Sequence, residues 1–349
     1  MTRLSIRAPL AWLGPGRLVE HAQVVCEGGF ITYAGPATSV GDADEEIRVD
    51  GFLMPAAADR HVHIGLSDPV RVLQGGVTAV RDLGWPAEQV FSLADASEVV
   101  TFNGPLIRAS GPILTAPGGY PTKAPWAPAG TGRELDGPAD AEAAVKELAA
   151  RGATAVKVSL NADAGPTPTD AELMALCDAA HAAGIPVTAH AQGPGQVERG
   201  LGAGIDELAH TPWSPLSDDV IEAAAKRLRI VSTLDILSFG RDTPEIRAAL
   251  GNLRRFYDAG GAVWYGTDLG NGAVPPGIHT RELFWLRDAG LTNEEILSAL
   301  TRAPLAADAP ADLIALGVNP LEDLTAFDHL RLVVRAGVVA LARERQPFD

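Results

Sequence analysis

The stretch MPAAADRHVHIGL, residues 54–66, decides how this 349-residue chain is read. A run of small and apolar residues ends in His61-Val62-His63. Residues two apart on a strand share a face, so both imidazoles project to the same side. That is a chelating geometry for one metal ion. The chain holds only eight histidines, so the pair is conspicuous, but alone it is weak.

Working outward, short apolar runs alternate with Ala-rich helical stretches from about residue 54. The runs are ADRHVHIGL, AVRDLG (79–84), PLIRASG (105–111), ATAVKVSL (153–160), IPVTAHA (185–191), GIDELAHT (204–211), LRIVSTLDI (228–236) and GAVWYGTD (261–268). Several helices stop at a Gly just before the next run, as a C-terminal cap does. Alternating strands and helices imply a parallel sheet. Eight such repeats predict an α/β fold, a closed (β/α)8 TIM-like barrel over residues 54–305, with an open doubly wound sheet as the alternative. Residues 1–53 contain only strand-like segments broken by Gly, Pro and Asp, among them LSIRAP, AQVVCEGG, FITYAGPA and EEIRVDGFLMP. Residues 306–349 return to that texture in ADLIALGVN and LRLVVRAGVVAL. Both chain ends are therefore expected to build one small β-sandwich domain, interrupted by the barrel. The Gly- and Pro-rich segments 112–135 and 269–281 read as long loops at the face where barrel enzymes carry their chemistry.

On this placement Lys157, His190, His210 and Asp268 join His61 and His63 at the C-terminal rim of the strands. Four of eight histidines gathered there are hard to explain by core packing. Nitrogen and carboxylate donors without thiolates suit zinc or another divalent first-row metal. Two alternatives stay open: Lys157 as a salt-bridge partner beside a single ion, and Asp268 as a loop cap. Asp59 is read as orienting the strand end, and Arg81-Asp82 as a structural pair.

Composition narrows the partners. A formal charge of −16 disfavours nucleic acid and anionic membranes. The two cysteines, Cys26 and Cys177, lie far apart and suggest a reducing compartment, not a disulfide framework. Neither a signal-peptide core nor an apolar run of ~18 residues is present, so a cytoplasmic protein acting on a small molecule is expected.

The motifs DRHVHIGL (59–66), GVTAVRDLG (76–84), VKVSL (156–160), VTAHAQG (187–193), DELAH (206–210), YGTDLG (265–270) and ADLIALGVNPLED (311–323) resemble the amidohydrolase superfamily. The likeness is to its two-metal form with a lysine ligand, nearest in texture to imidazolonepropionase- and prolidase-like members. The resemblance spans nearly the whole chain. It implies that His61, His63 and Asp268 hold one metal ion, and that His190 and His210 hold the other. Lys157 would bridge both as a CO2-derived carbamate, since an ammonium between two dications would be repelled. It further implies hydrolysis of an amide-type C–N bond, in a cyclic amide or an N-acyl amino acid, by a hydroxide shared between the metals. Asp268 would shuttle the proton. A prolidase-like dipeptidase or a lactone or ester hydrolase would use the same site. A single-metal deaminase would need a Glu near the fifth strand, which TAHAQG lacks, and an inactive binding relative would have shed ligands. Such barrels commonly pair, which leaves room for a homo-oligomer.

Candidates for the substrate pocket are Trp85, Tyr120, Lys123, Trp213 and His279, with Asp235 and Arg241 nearby. The aromatics suit a planar or apolar substrate group, and Lys123 or Arg241 a carboxylate. Tyr120 stands where related enzymes often carry a histidine after GG.

Overall fold

The structure is a computed structural model and describes residues 2–37 and 43–343. Strands β1 (Leu4–Trp12), β2 (Leu18–Glu27), β3 (Phe30–Pro36), β4 (Glu45–Arg48) and β5 (Phe52–Pro55) open the chain. The alternating region follows. Its strands are β6 (Ala57–Val62), β7 (Val77–Asp82), β8 (Leu106–Ala109), β9 (Ile113–Thr115), β10 (Gly132–Glu134), β11 (Val156–Asn161), β12 (Val187–Gln192), β13 (Glu207–Leu208), β14 (Arg229–Val231) and β15 (Ala262–Trp264). Its helices are α1 (Pro69–Gln74), α2 (Ala87–Ser97), α3 (Pro138–Ala150), α4 (Asp170–Ala182), α5 (Gln196–Ala203), α6 (Asp218–Ala225), α7 (Pro244–Asp258), α8 (Thr280–Asp288) and α9 (Asn293–Leu300). Strands β16 (Leu313–Leu316), β17 (Leu330–Arg335) and β18 (Val338–Ala342) close it.

Each of the eight expected barrel strands is present, and every pairing between them is parallel. The strands fall into two ladders, β6-β7-β8 and β10-β9-β11-β12-β13-β14-β15. Backbone hydrogen bonds cross both seams. Thr154 N–H donates to Ala109 O at 3.0 Å, and past β15 the Asp268 and His63 N–H groups donate to His61 O and Leu269 O at 2.8 and 2.7 Å. The sheets are consistent with a TIM-like barrel. Helix starts carry the caps the sequence encodes: Thr169 and Glu172 form a capping box on α4, and Thr292 and Glu295 one on α9.

One expectation needs correction. Segment 112–135 is not wholly loop: β9 and β10 pair there in parallel, and β9 reaches β11 through Leu114 and Val158. The terminal strands form one β-rich unit from both chain ends, an eight-stranded hydrogen-bonded ladder ordered β18-β17-β16-β5-β1-β2-β3 with β4 on β1. β5 also straddles the expected boundary at residues 53 and 54.

That sheet is buried on both faces at its centre, with the period of two that a strand imposes. Phe52, Met54, Ile314, Leu316 and Val333 pack into the core of the alternating region. Leu53, Leu313, Ala315, Leu332 and Val334 turn to a second core with Leu4, Ile6 and Val24. Leu305, expected in the barrel, packs in this second core. Among the described residues, no helix is long and apolar enough to cross a membrane.

Candidate metal centre

His61 and His63 leave β6 on one face and meet Asp268, which follows β15. Asp268 Oδ1 lies 3.4 Å from His61 Nε2 and 3.2 Å from His63 Nε2, all three residues being buried. One ligand atom from each falls within 4.8 Å of the others, close enough to hold one ion. His210 stacks beside His61 with ring centroids 4.6 Å apart, and His190 beside His210 at 4.5 Å. The four histidines and Asp268 thus form one cluster.

The rings are oriented from behind. His61 Nδ1 lies 2.8 Å from Ala209 O, His63 Nδ1 2.9 Å from Gly84 O, and His210 Nδ1 2.9 Å from Thr233 Oγ1. A carbonyl accepts only from N–H, so Nδ1 of His61 and of His63 carries the proton and Nε2 keeps its lone pair for a ligand. His61 Nε2 is buried with no hydrogen-bond partner. Gly84 must lack a side chain here: a Cβ would sit 2.7 Å from Ile113 and 3.2 Å from the His63 ring.

Asp268 and Thr233 both hold left-handed backbone, φ 57 and 43. Such conformations are costly for residues with side chains, most of all for a β-branched one, and persist where the surroundings fix them. Asp268 N–H is tied to His61 O and Thr233 N–H to Gly266 O. Asp59 joins the same frame, accepting from His61 N–H, Thr267 N–H and the Thr267 hydroxyl. It is a support behind the site.

Lys157 is expected at a strand end but is the second residue of β11, in register with Thr188, while His190 pairs with Ser159. It therefore starts deeper in the sheet, and its long stem must span the difference. The side chain is 1% exposed, and Nζ has no hydrogen-bond partner. An amine so buried is expensive as an ammonium. Burial pushes Lys157 down to about 7 despite the nearby Asp268 carboxylate. Burial also holds His61, His190 and His210 well below the usual imidazole range, with Lys157 the next cause for His61 and His190 and the His190 ring for His210. These rings are neutral at pH 7, as metal ligands must be. An unpartnered amine and unpartnered imidazole nitrogen amid carboxylate and histidine donors fit a divalent metal centre.

A cavity of about 560 Å³ opens over the cluster. Tyr120, Lys123 and Trp213 line it, as do His190, His210 and Asp268. Trp126, Asn161, Ile236, Leu237 and Asn271, not singled out in the sequence, also line it. Trp126 stacks on His63 at 4.4 Å and donates from Nε1 to the Tyr120 hydroxyl at 3.1 Å. Burial, then Asp268, pushes the Tyr120 phenol upward, so its hydroxyl stays protonated. Lys123 is exposed at the mouth, and no carboxylate among the described residues pairs with it.

Three expected pocket residues lie elsewhere. Trp85 is buried against Gly65 and donates to Gln89 Oε1. His279 is buried with its Nε2 2.6 Å from Asp235 Oδ2, behind the wall that Ile236 and Leu237 form. Arg241 is exposed and donates to Ser238 O. Arg81 and Asp82 do not pair with each other, because neighbours on a strand face opposite ways. Arg81 meets Glu207 at 2.6 Å, and Asp82 accepts from Ile64 and Gly84 N–H.

Histidines, a rim aspartate and a buried free amine gathered at one end of a parallel α/β sheet define a hydrolase of the amidohydrolase type. Residues 52–307 match the model of the amidohydrolase family, and the chain belongs to that family. It is 25% identical over 412 aligned residues to ochratoxinase of Aspergillus niger, covering 94% of this chain and 84% of that protein. The crystal structure of A. niger ochratoxinase superposes with a TM-score of 0.83 at 22% identity, over 98% of this chain and 96% of that one. A putative prolidase from Bifidobacterium longum gives 0.83 at 25% identity, over 99% and 96%. A shorter match of 69 residues, 18% of this chain and 17% of the other, is 45% identical to imidazolonepropionase of Caulobacter vibrioides.

Proposed function

We propose that the protein hydrolyses an amide-type C–N bond in a small molecule, using two divalent metal ions at the rim of a closed (β/α)8 barrel. His61, His63 and Asp268 would hold one ion, His190 and His210 the other, and carboxylated Lys157 both. The observation that carries this reading is the convergence of five ligand-type side chains in one cluster, three of them lining the cavity, beside a lysine amine that is buried, unpartnered and shifted to about 7. A carbamate forms only on the free base, and that shift keeps much of Lys157 in the free-base form at neutral pH. All-nitrogen and oxygen donors favour zinc.

Two ions so held supply an activated water and polarise the substrate carbonyl. The protein's own residues do the rest. Asp268 takes a proton from the attacking water and returns it to the leaving amine. Trp126, Trp213, Ile236 and Leu237 exclude water and hold a planar or apolar group. Lys123, the cation at the mouth, pairs with a substrate carboxylate. The Tyr120 hydroxyl donates to the acyl oxygen. An N-acyl amino acid with an aromatic part meets these demands. A prolidase-like dipeptidase is the second reading, favoured by the likeness to the putative prolidase and to the structure of a Xaa-Pro dipeptidase, TM-score 0.82. A lactone or ester would suit the same chemistry.

The test is a panel of N-acyl amino acids, dipeptides, lactams and lactones, assayed with zinc and bicarbonate alongside metal analysis. Amide turnover with close to two ions per chain supports the reading. A folded protein that binds no metal and turns over none of the panel refutes it.

A further inference from the structure

Asn161 ends β11, four residues past Lys157 and on the same face. It is 7% exposed and lines the cavity. Its Nδ2 lies 2.9 Å from His190 Nε2, while its Oδ1 is buried with no hydrogen-bond partner. Gln192, directly across on β12, also ends in an unpartnered Nε2, so neither amide completes the other. A buried amide oxygen left unpaired is costly and calls for a partner.

The two ends of a carboxamide exchange by rotation of the terminal group, and which is which follows from the hydrogen-bond network. If His190 ligates a metal through Nδ1, its Nε2 carries the proton and must donate. Asn161 then turns Oδ1 to His190, and Nδ2 takes the place of the unpartnered oxygen on a residue that lines the cavity.

We propose that Asn161 is a substrate-binding residue whose amide N–H hydrogen-bonds the acyl oxygen of the bound substrate, while its oxygen fixes the ring of His190. This rests on the hydrolase reading above and adds to it a residue and a bond. The same side chain would tie the ligand field to the substrate, so that a substrate without an acceptor at that place loses the contact.

Asn161→Asp separates the two roles, because a carboxylate still accepts from His190 but cannot donate to substrate. Asn161→Ala removes both. For the panel N-acyl amino acid that wild type hydrolyses fastest, Asn161→Asp should keep the wild-type metal content and lose on the order of 10- to 100-fold in kcat/KM. Asn161→Ala should lose as much turnover and part of the metal as well. Wild-type kcat/KM in either variant overturns the proposal, as does metal loss in Asn161→Asp that accounts for all its lost activity. If wild type itself binds no metal and hydrolyses nothing, the parent reading falls and this one with it. If wild type is active and both variants match it, only this one falls.

Discussion

His279 Nε2 meets Asp235 Oδ2 at 2.6 Å, and both side chains are buried behind the cavity wall instead of facing it. Arg281 and Trp285 also donate to Asp235. Burial alone would raise this carboxyl, but the donors together outweigh it and hold it well below the usual range. The stability it contributes is therefore present above the unfolded carboxyl value and lost as pH falls below about 4. Asp235→Asn should lower the urea midpoint by an amount equivalent to about 1–3 kcal/mol at pH 7 and flatten the acid limb. It should also raise KM, since Ile236 and Leu237 follow Asp235 in the chain. An unchanged midpoint would show that the cluster bears no load.

Glu282 behaves in the opposite sense. Burial pushes it up to about 7, although its carboxylate accepts from the Leu234 and Asp235 N–H groups. The folded state thus keeps a proton that the unfolded chain releases near 4.5. Stability from this group is complete below about pH 4.5 and declines on the way to 7, by on the order of 3 kcal/mol. Glu282→Gln should reduce the slope of unfolding free energy against pH in that interval, read by denaturant titration at several pH values. A slope equal to wild type would contradict the assignment.

Lys157→Ala should cut metal content from about two ions per chain to one or fewer and cripple turnover. Formate or acetate should restore part of the rate by standing in for the missing carboxylate. In wild type, 13C-labelled bicarbonate should yield a carbamate carbon signal by NMR that is absent from the variant. Full activity in Lys157→Ala would remove the bridge.

Asp268→Asn should retain most of the metal, since His61 and His63 remain, yet slow turnover by about 10²- to 10⁴-fold. Metal analysis and steady-state rates on one preparation suffice. A rate equal to wild type would place the proton carrier elsewhere.

The parallel α/β architecture and the ligand cluster were legible because they depend on parity and order. His61 and His63 share a face whatever the exact strand limits. Depth was not legible: Lys157 lies second in β11, which alternation alone cannot reveal. Asn161 could have been found by counting in twos from Lys157, and Trp126 by treating the segment from Gly118 to Trp126 as one cavity wall. Trp85 and His279 show the limit. Each follows a strand of the parallel ladders, but which side of a loop faces the cavity is set by packing against Gly65 or Asp235, partners that no local pattern identifies.

The antiparallel pairing of β5 with β16 joins Pro55 to Leu313, about 260 positions apart, a long-range closure of the kind that slows folding. A nascent chain must carry β5 with a bare edge until the last strands leave the ribosome. Shielding that edge from other polypeptides would then fall to chaperones, and shortening the chain at β16 would leave a permanent template for aggregation.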